Sequence, residues 1–374
     1  MILWLRNELV AHWPAAGALG SLTVRAALAA LLAFGVALAL GPRLLAWLNR
    51  RRVIEVETNT DSATLNELNR KKRPTPTMGG VMIVGAILAA GLVCGDLSND
   101  YVILGLLSTL GFGFIGFIDD WVKLTRHDRR GLTPAAKYLL QFLVALSLAV
   151  VITLIFKGRT NSADLLALHV PFTDHTRIDL SFLSGLPHAL LVLVVVTGTS
   201  NAVNLTDGMD GLAAGTMVVS ALAMAAVCVA VGRAESLVPN KALLYVPFSQ
   251  EMTVFCTAIV GATLGFLWFN AAPALVYMGD TGSLPLGSLL GYVAVVTKHE
   301  LLLLLVGGVF VVEALSVIAQ VGFFRATNGR RLLRCAPLHH HFQFAGVPDT
   351  RIVVRFWILA VLLAAAGLAS LSLA

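Results

Sequence analysis

The sequence predicts an all-α polytopic membrane protein made of a single domain, residues 1–374. Of the 374 residues, 57% are hydrophobic and only 13% are charged, and the mean hydropathy is +0.82. These values exclude an ordinary soluble protein. Apolar stretches that are long enough to cross a hydrocarbon core of about 30 Å, which takes roughly 20 helical residues, also recur along the chain.

Ten of these stretches are predicted to be transmembrane helices, at 23–46, 78–96, 101–122, 134–156, 186–204, 211–232, 252–270, 281–298, 301–323 and 352–372. Charged residues and Pro14 interrupt the preceding segment, which predicts a short helix at the membrane interface and does not resemble a cleavable signal peptide. Alternating residues in 158–185 predict a small periplasmic β-hairpin between helices four and five, for packing or for contact in a homodimer.

The distribution of basic residues predicts the orientation of these helices. Most of the 27 Lys and Arg residues lie in or beside one set of loops, and basic residues accumulate on the cytoplasmic side of membrane proteins. Both termini are therefore expected to be periplasmic. The cytoplasmic loops, which also carry the polar clusters described next, are predicted at 47–77, 123–133, 205–210, 271–280 and 324–351.

The adjacent carboxylates of Asp119 and Asp120 end the third apolar stretch. Adjacent carboxylates repel each other and are tolerated where a cation lies beside them. Lys123 follows Asp119 by four residues and Asp120 by three, so a continuing helix would bring it near either aspartate. A structural salt bridge needs only one of the two, which favours a functional pair with Mg²⁺ as its companion, because this ion prefers hard oxygen ligands.

A second polar cluster has a spacing of three residues, at Asn201, Asn204, Asp207 and Asp210. If the helix continues, these side chains form one polar stripe at its end. The two Asp-Gly steps are equally typical of a plain turn into helix six. Four polar side chains are more than a turn requires, so the spacing favours a site.

Two loops lead into apolar stretches. Lys72 and Thr77 precede helix two, where Thr77 could cap the helix and Lys72 could serve topology or meet a phosphate or a uracil. Asn270, Tyr277 and Asp280 lie before helix eight. Asp280 could be a simple helix cap, or it could belong to an anion site at the helix N-terminus.

Three consecutive histidines, His339, His340 and His341, lie in the last cytoplasmic loop. Sequence neighbours rarely converge on one transition-metal ion and no Cys or carboxylate flanks them, so contact with a phosphate or a sugar is favoured. Glu313 lies inside predicted helix nine, where it indicates either a hydrogen bond between helices or a break in that helix.

Six ordered motifs carry a resemblance to a known family. They are TPTMGG at 75–80, DD at 119–120, NLTDGMDGL at 204–212, WFN at 268–270, MGD at 278–280 and PLHHHF at 337–342. Together they resemble the phospho-N-acetylmuramoyl-pentapeptide-transferase family of the polyprenyl-phosphate N-acetylhexosamine-1-phosphate transferase superfamily. The resemblance extends from the N-terminal segment to the last helix. Pro74, Tyr277 and Thr281 depart from the residues common there, which adjusts shape without removing a charge.

The resemblance implies a multi-pass enzyme of the bacterial inner membrane with ten helices. It would transfer phospho-N-acetylmuramoyl-pentapeptide from UDP-N-acetylmuramoyl-pentapeptide to undecaprenyl phosphate, giving lipid I and UMP with Mg²⁺ as cofactor. This would be the first membrane step of peptidoglycan synthesis. The expected partners are these two substrates and membrane lipid, and no nucleic acid.

The resemblance also implies residue roles. Asp280 would be the leading Mg²⁺ ligand, and Asp119 would orient or deprotonate the lipid phosphate. The implied catalytic group is Asp119, Asp120, Asp207 and His340. The implied substrate-binding group is Lys72, Thr77, Lys123, Lys137, Asn204, Asp210, Asn270, Tyr277, His339 and His341. Direct attack and a two-step route through an aspartyl-phosphate are both chemically open, with direct attack favoured.

Two alternatives share some of these features. A sister enzyme that transfers N-acetylglucosamine-1-phosphate to a polyprenyl phosphate would use the same aspartates, but the histidine motif argues against it. An ion-coupled secondary transporter would also carry intramembrane carboxylates. It predicts carboxylates near the middle of the membrane, and only Glu313 fits that pattern.

Overall fold

The computed structural model describes residues 1–51, 54–55, 75–125, 131–171, 176–232 and 244–373. Within them the chain forms the helices α1 (Ile2–Val10), α2 (Leu22–Arg50), α3 (Gly80–Cys94), α4 (Asp100–Thr125), α5 (Pro134–Lys157), α6 (Ser162–Leu165), α7 (Phe182–Thr206), α8 (Leu212–Gly232), α9 (Met252–Asn270), α10 (Asp280–Val296), α11 (Glu300–Val306), α12 (Gly308–Ala326), α13 (Leu338–Phe344) and α14 (Asp349–Leu373). Short 3₁₀ helices lie at Pro14–Gly20 and Ser249–Glu251.

The described helices confirm a polytopic membrane protein. Eight apolar segments in the described ranges are long enough to span a membrane, at Leu22–Arg50, Asp100–Thr125, Pro134–Lys157, Phe182–Thr206, Leu212–Gly232, Ser249–Asn270, Gly308–Ala326 and Asp349–Leu371. The second and eighth predicted spans correspond to the shorter helices α3, with 15 residues, and α10, with 17. Ten crossings and periplasmic termini stay predictions.

Predicted helix nine is wrong as one continuous helix. The chain forms α11 and α12, which are separated at Gly307 with φ −93° and ψ 18°. Gly307 and Gly308 adjoin at this point, and glycine pairs are a common cause of sharp helix kinks because they restrain the backbone least. The break therefore lies six residues before Glu313, whose contacts are with another segment.

Two short antiparallel pairs of strands accompany the helices. β1 (Ile54–Glu55) pairs with β2 (Thr75–Pro76), with Ile54 opposite Pro76. β3 (Leu168–His169) pairs with β4 (Arg177–Ile178), with Leu168 opposite Ile178. The second pair lies in the segment for which a hairpin was predicted, and its periplasmic location stays a prediction.

Helix α10 is the centre of the bundle. Every residue from Asp280 to Val296 is buried, as expected for a helix that is surrounded by other helices. It packs mainly against α4 and α7, with α3 alongside. Side chains at Gly116 of α4 or Gly80 of α3 would collide with the backbone at the start of α10. These glycines allow the helices to approach closely, as small residues do in membrane helix interfaces.

Buried ion pairs lie away from the start of α10. Arg25 of α2 contacts Glu251 at 2.5 Å, and Lys298 contacts Glu300 at 2.6 Å just beyond the end of α10. Ionisable residues within membrane proteins are costly unless they are paired in this way. Neither pair includes a residue of the six motifs.

Candidate active site

Three buried carboxylates meet where α4 ends and α10 begins. Asp119 and Asp120 lie in the last two turns of α4, and Asp280 is the first residue of α10. One oxygen from each lies within 4.8 Å of the others. We call Asp119, Asp120 and Asp280 the carboxylate centre. Its formation brings together two motifs that are separated by 160 residues in the chain.

Two lysines neutralise part of this charge. Nζ of Lys123 lies 2.8 Å from Asp119, 3.5 Å from Asp280 and 3.7 Å from Asp120. Lys137, near the start of α5, lies 2.5 Å from Asp280. The predicted proximity of Lys123 to both aspartates is confirmed, because α4 continues to Thr125. Carboxylates so close together require cations at this distance to remain ionised.

Asp120 serves as the cap of α10 from the neighbouring helix. Its carboxylate accepts the backbone N–H groups of Asp280 and Thr281 at 3.1 and 2.9 Å, and the Thr281 hydroxyl at 2.6 Å. The N-cap position belongs to Gly279, whose φ is +70° and whose missing side chain leaves room for Asp120. The interpretation of Asp280 as a simple helix cap is therefore wrong.

The carboxylate of Asp280 is directed at cations and donors instead. Nδ2 of Asn204 donates to it at 2.7 Å and to Ser283 Oγ at 2.9 Å. Burial opposes ionisation of Asp280, but the charges of Lys123 and Lys137 hold its pKa well below the ordinary range. Asp280 is therefore an ionised carboxylate at neutral pH.

Asp119 is held from a different side. It accepts the backbone N–H of Leu132 at 2.9 Å, and a side chain at Gly131 would collide with its carboxylate. The segment 131–132 between α4 and α5 therefore closes over Asp119. Neither contact was predicted, because a main-chain donor has no signature in the sequence.

The predicted stripe from Asn201 to Asp210 is wrong beyond Asn204. Helix α7 ends at Thr206, and Asp207 occupies its C-cap position with φ −80° and ψ 48°. The following residues form a turn, as the Asp-Gly steps allow. Asp207 is half-buried in this turn, and Asp210 accepts the backbone N–H of Ala274 at 2.9 Å.

The loop before α10 is tied to that turn and to the TPTMGG motif. Asn270 accepts the N–H of Gly211 and donates to the carbonyl of Val276, both at 2.9 Å. Tyr277 donates its backbone N–H to Pro76 and accepts that of Gly79, both at 2.8 Å. Asn270 therefore shapes the loop through its side chain, and Tyr277 joins it through its backbone.

Thr77 does not cap α3, which corrects the predicted cap. The helix begins at Gly80, and Gly79 is its N-cap residue. Met78, which lies between Thr77 and Gly79, has a positive φ of 76°. The Thr77 hydroxyl is buried without a hydrogen-bond partner among the described residues. It lies beside the site that a side chain at Gly279 would occupy. Lys72 lies outside the described residues.

The three histidines have separate partners. His339 contacts Glu313 at 3.1 Å, and Nδ1 of His340 lies 3.0 Å from Oε1 of Gln343. His341 accepts the backbone N–H of Arg334 at 3.2 Å. The rings of His339 and His340 nevertheless pack against each other, with centroids 4.2 Å apart. The partner of Glu313 is a histidine of α13 that its position in the sequence did not indicate.

The carboxylate centre fits a divalent cation. It offers one carboxylate oxygen from each of three buried residues, and such hard donors are those that Mg²⁺ and Ca²⁺ prefer. Lys123 already lies against all three carboxylates, so a positive charge is favoured between them. The unpartnered hydroxyl of Thr77 adds a further oxygen beside Asp120 at the Gly279 face.

Comparison with known proteins identifies the family. Residues 102–298, more than half of the chain, match the family described as glycosyl transferase family 4. The chain is 45% identical to a phospho-N-acetylmuramoyl-pentapeptide-transferase of Solidesulfovibrio magneticus over 100% of both chains. It is 44% identical to one of Thermodesulfovibrio yellowstonii over 94% of both. The chain therefore belongs to glycosyl transferase family 4 and to the phospho-N-acetylmuramoyl-pentapeptide-transferase family.

Proposed function

We propose that this protein transfers phospho-N-acetylmuramoyl-pentapeptide from its UDP-linked donor to undecaprenyl phosphate, releasing UMP. The observation that carries the proposal is the buried carboxylate centre with Lys123 and Lys137 against it. Full-length relatives that carry the transferase name support the choice of substrates. The histidine motif, which is part of the resemblance, favours the muramoyl donor over UDP-N-acetylglucosamine.

The reaction joins two anions, so charge repulsion is its main obstacle. An oxygen of the lipid phosphate attacks the phosphorus that bears the sugar, and the bond from that phosphorus to the bridging oxygen breaks. UMP leaves with the bridging oxygen and its electron pair. The chain must therefore bring positive charge and hydrogen-bond donors to a diphosphate while holding the lipid phosphate in line.

Asp280 is our leading candidate ligand for Mg²⁺, with Asp119 and Asp120 beside it. Bound there, Mg²⁺ would neutralise charge on the diphosphate and on the departing UMP. Lys123 lies against all three carboxylates and Lys137 against Asp280, and both are suited to contact phosphate oxygens as point charges. Asp120 maintains the start of α10 by capping it, which keeps Asp280 in position.

Asp119 would orient the lipid phosphate and accept a proton when one is present. A phosphate monoester with a second pKa near 6 is largely ionised at neutral pH, so orientation is the larger part of this role. Lys123 at 2.8 Å keeps the Asp119 carboxylate paired until substrate enters. Direct attack needs no covalent aspartyl intermediate, and we favour it for that reason.

The nucleotide would bind along the loop before α10. Tyr277 is half-buried, and its ring would give uracil an aromatic surface to stack on. Asn270 and Asp210 shape this loop by holding its backbone, while Asn204 supports Asp280. Lys72 and Thr77 would contribute from the TPTMGG side. Asp207 and the three histidines, His340 foremost, would meet the diphosphate or the sugar.

We further propose ten crossings with periplasmic termini in the bacterial inner membrane, and a site that faces the cytoplasm. The support is the sequence, because most of the Lys and Arg residues lie in or beside the loops predicted to be cytoplasmic, and the residues of the carboxylate centre lie in or next to the same loops along the chain. The β3–β4 pair would then lie on the periplasmic side, where it could contribute to a homodimer. The apolar grooves between helices beside the centre would hold the polyprenyl chain.

The test is UMP release by purified protein in detergent with undecaprenyl phosphate, Mg²⁺ and UDP-N-acetylmuramoyl-pentapeptide. UDP-N-acetylglucosamine replaces the donor in a parallel reaction, and Asp280→Asn is run beside the wild type. We expect release with the muramoyl donor alone, its loss with EDTA or in the variant, and its recovery when Mg²⁺ is returned to the wild type. Release with the N-acetylglucosamine donor alone would overturn the substrate assignment.

A further inference from the structure

Another buried ionisable pair lies outside the carboxylate centre, between α12 and α13. The side chains of Glu313 and His339 are both fully buried, and Oε2 of Glu313 lies 3.1 Å from Nδ1 of His339. Oε1 of the same carboxylate accepts the backbone N–H of His339 at 3.1 Å. One buried carboxylate therefore holds both the ring and the main chain of this histidine.

The contact with the ring has a chemical consequence. An ionised carboxylate only accepts hydrogen bonds, so Nδ1 of His339 must carry the hydrogen that bonds to Glu313. The bond that one ring nitrogen makes decides which tautomer is present and how the ring is directed. Glu313 thereby leaves Nε2 as the atom through which His339 can act.

Nε2 of His339 points at the turn that follows α7. The atom is buried and has no hydrogen-bond partner among the described residues, and a side chain at Gly208 would collide with it. Gly208 lies directly after Asp207, in the turn that follows α7, and Asn204 in the last turn of α7 donates to Asp280. A buried polar atom without a partner is costly, and here it faces the turn at 207–210.

We propose that Glu313 is a positioning residue for the transfer reaction and acts through His339. It directs Nε2 to the turn at 207–210, where the diphosphate-linked sugar is placed by the proposed function on which this inference rests. The purely structural alternative is that Glu313 only ties α13 to α12. A positioning role predicts that substitution of Glu313 lowers turnover even when the stability of the protein is retained, and a structural role predicts that it does not.

Glu313→Gln separates these roles. The glutamine carbonyl can still accept the backbone N–H of His339, but its amide group donates, so Nδ1 would have to accept and the ring hydrogen would move to Nε2. Glu300→Gln is the matched control, because it also removes a buried paired carboxylate. Glu300 follows α10, whose 17 residues separate it from Asp280 by about 25 Å.

The experiment measures thermal unfolding in detergent, and kcat and KM for UMP release with both substrates. We expect Glu313→Gln to unfold near the temperature of Glu300→Gln and to lower kcat by about 10- to 100-fold, by analogy with the loss of a partner that orients a metal-bound histidine. Glu313→Asp should recover part of kcat. Glu313→Gln combined with His339→Ala should be no slower than His339→Ala alone, because both act through one ring.

Gly208→Ala tests the same contact from the opposite side if Glu313→Gln does not fold. It should lower kcat in the wild-type background and have no further effect in His339→Ala. Full kcat in Glu313→Gln or in Gly208→Ala, or an effect that multiplies with His339→Ala, would overturn the inference alone. A wild-type protein that releases no UMP overturns the proposed function first, so the two failures are distinguishable.

Discussion

Gly116→Ala should inactivate the protein by separating two helices. The β-carbon of an alanine would lie 2.6 Å from the backbone nitrogen of Thr281 and would also collide with the carbonyl of Asp280. Heavy atoms without a hydrogen bond need about 3.5 Å, so α4 and α10 must move apart by roughly 1 Å. The backbone of α10 cannot yield by itself, because Asp120 of α4 holds the N–H groups of Asp280 and Thr281.

Two quantities follow from this displacement. Overpacking costs about 1–3 kcal/mol of stability, while alanine recovers about 0.5–1 kcal/mol over glycine within a helix. The net cost is therefore about 0–2.5 kcal/mol, so the variant should still fold, with an unfolding temperature lowered by a few degrees at most. Activity should change much more. A misplacement of about 1 Å can lower a rate about 100-fold, and the displacement acts directly on the distances between Asp280 and the aspartates of α4.

UMP release and thermal unfolding of Gly116→Ala should be measured beside Gly113→Ala. Gly113 lies one turn earlier in α4, and its alanine would meet only the side chain of Val84 at 3.2 Å, which can rotate away. We expect Gly113→Ala to keep most of the wild-type turnover. Equal turnover in the two variants would refute the reasoning, since the close backbone approach would then have no effect on the site.

Three further predictions follow from the same contacts. Mg²⁺ should raise the unfolding temperature of the wild type much more than that of Asp280→Asn, because a ligand that binds only the folded state stabilises it. Thermal scans with and without the ion measure this difference, and equal shifts in the two proteins would contradict the metal assignment. In metal-free buffer, Lys137→Met removes a charge that depresses the pKa of Asp280. The stability that this carboxylate provides is present above its unfolded pKa of about 4 and is lost as the pH falls below it toward the lower folded pKa. The variant should therefore be less stable than the wild type at neutral pH and should lose less stability on acidification; unfolding curves from neutral to acidic pH test this, and unchanged curves would argue against the pair. Glu251→Gln leaves Arg25 buried with a weaker partner. The free energy of unfolding should therefore fall by about 3 kcal/mol, while kcat of the folded protein stays the same. A lowered kcat at unchanged stability would contradict a purely structural role.

Local spacing predicted the parts of the site that one helix provides. Lys123 contacts Asp119 and Asp120 because residues three and four apart share a helix face, and α4 continues through all of them. The same rule failed from Asn204 to Asp210, because α7 ends at Thr206. Residue spacing predicts which side chains share a helix face only as far as the helix extends. The turn at 207–210 decided where α7 ends, and the spacing of the polar residues did not.

Capping was predicted less well than helix formation. Asp280 and Thr77 are both residue types that favour caps, yet α10 receives its cap from Asp120, and the Thr77 hydroxyl has no hydrogen-bond partner among the described residues. A cap supplied by another helix satisfies the same N–H groups and leaves no local pattern. The partner of Glu313 was hidden for the same reason, since His339 is 26 residues away in the chain.

The sequence by itself determined that this is a helical membrane protein, because length and hydropathy decide which segments leave water, and its motifs indicated which chemistry to expect. Only the tertiary structure decided that Asp280 meets Asp119 and Asp120, that Lys137 pairs with Asp280, and that Glu313 holds His339. The physical reason is that hydrophobicity acts on each segment independently. The convergence of buried charges depends on helix packing, and in the contact of α4 and α10 that packing depends on the missing side chain of Gly116.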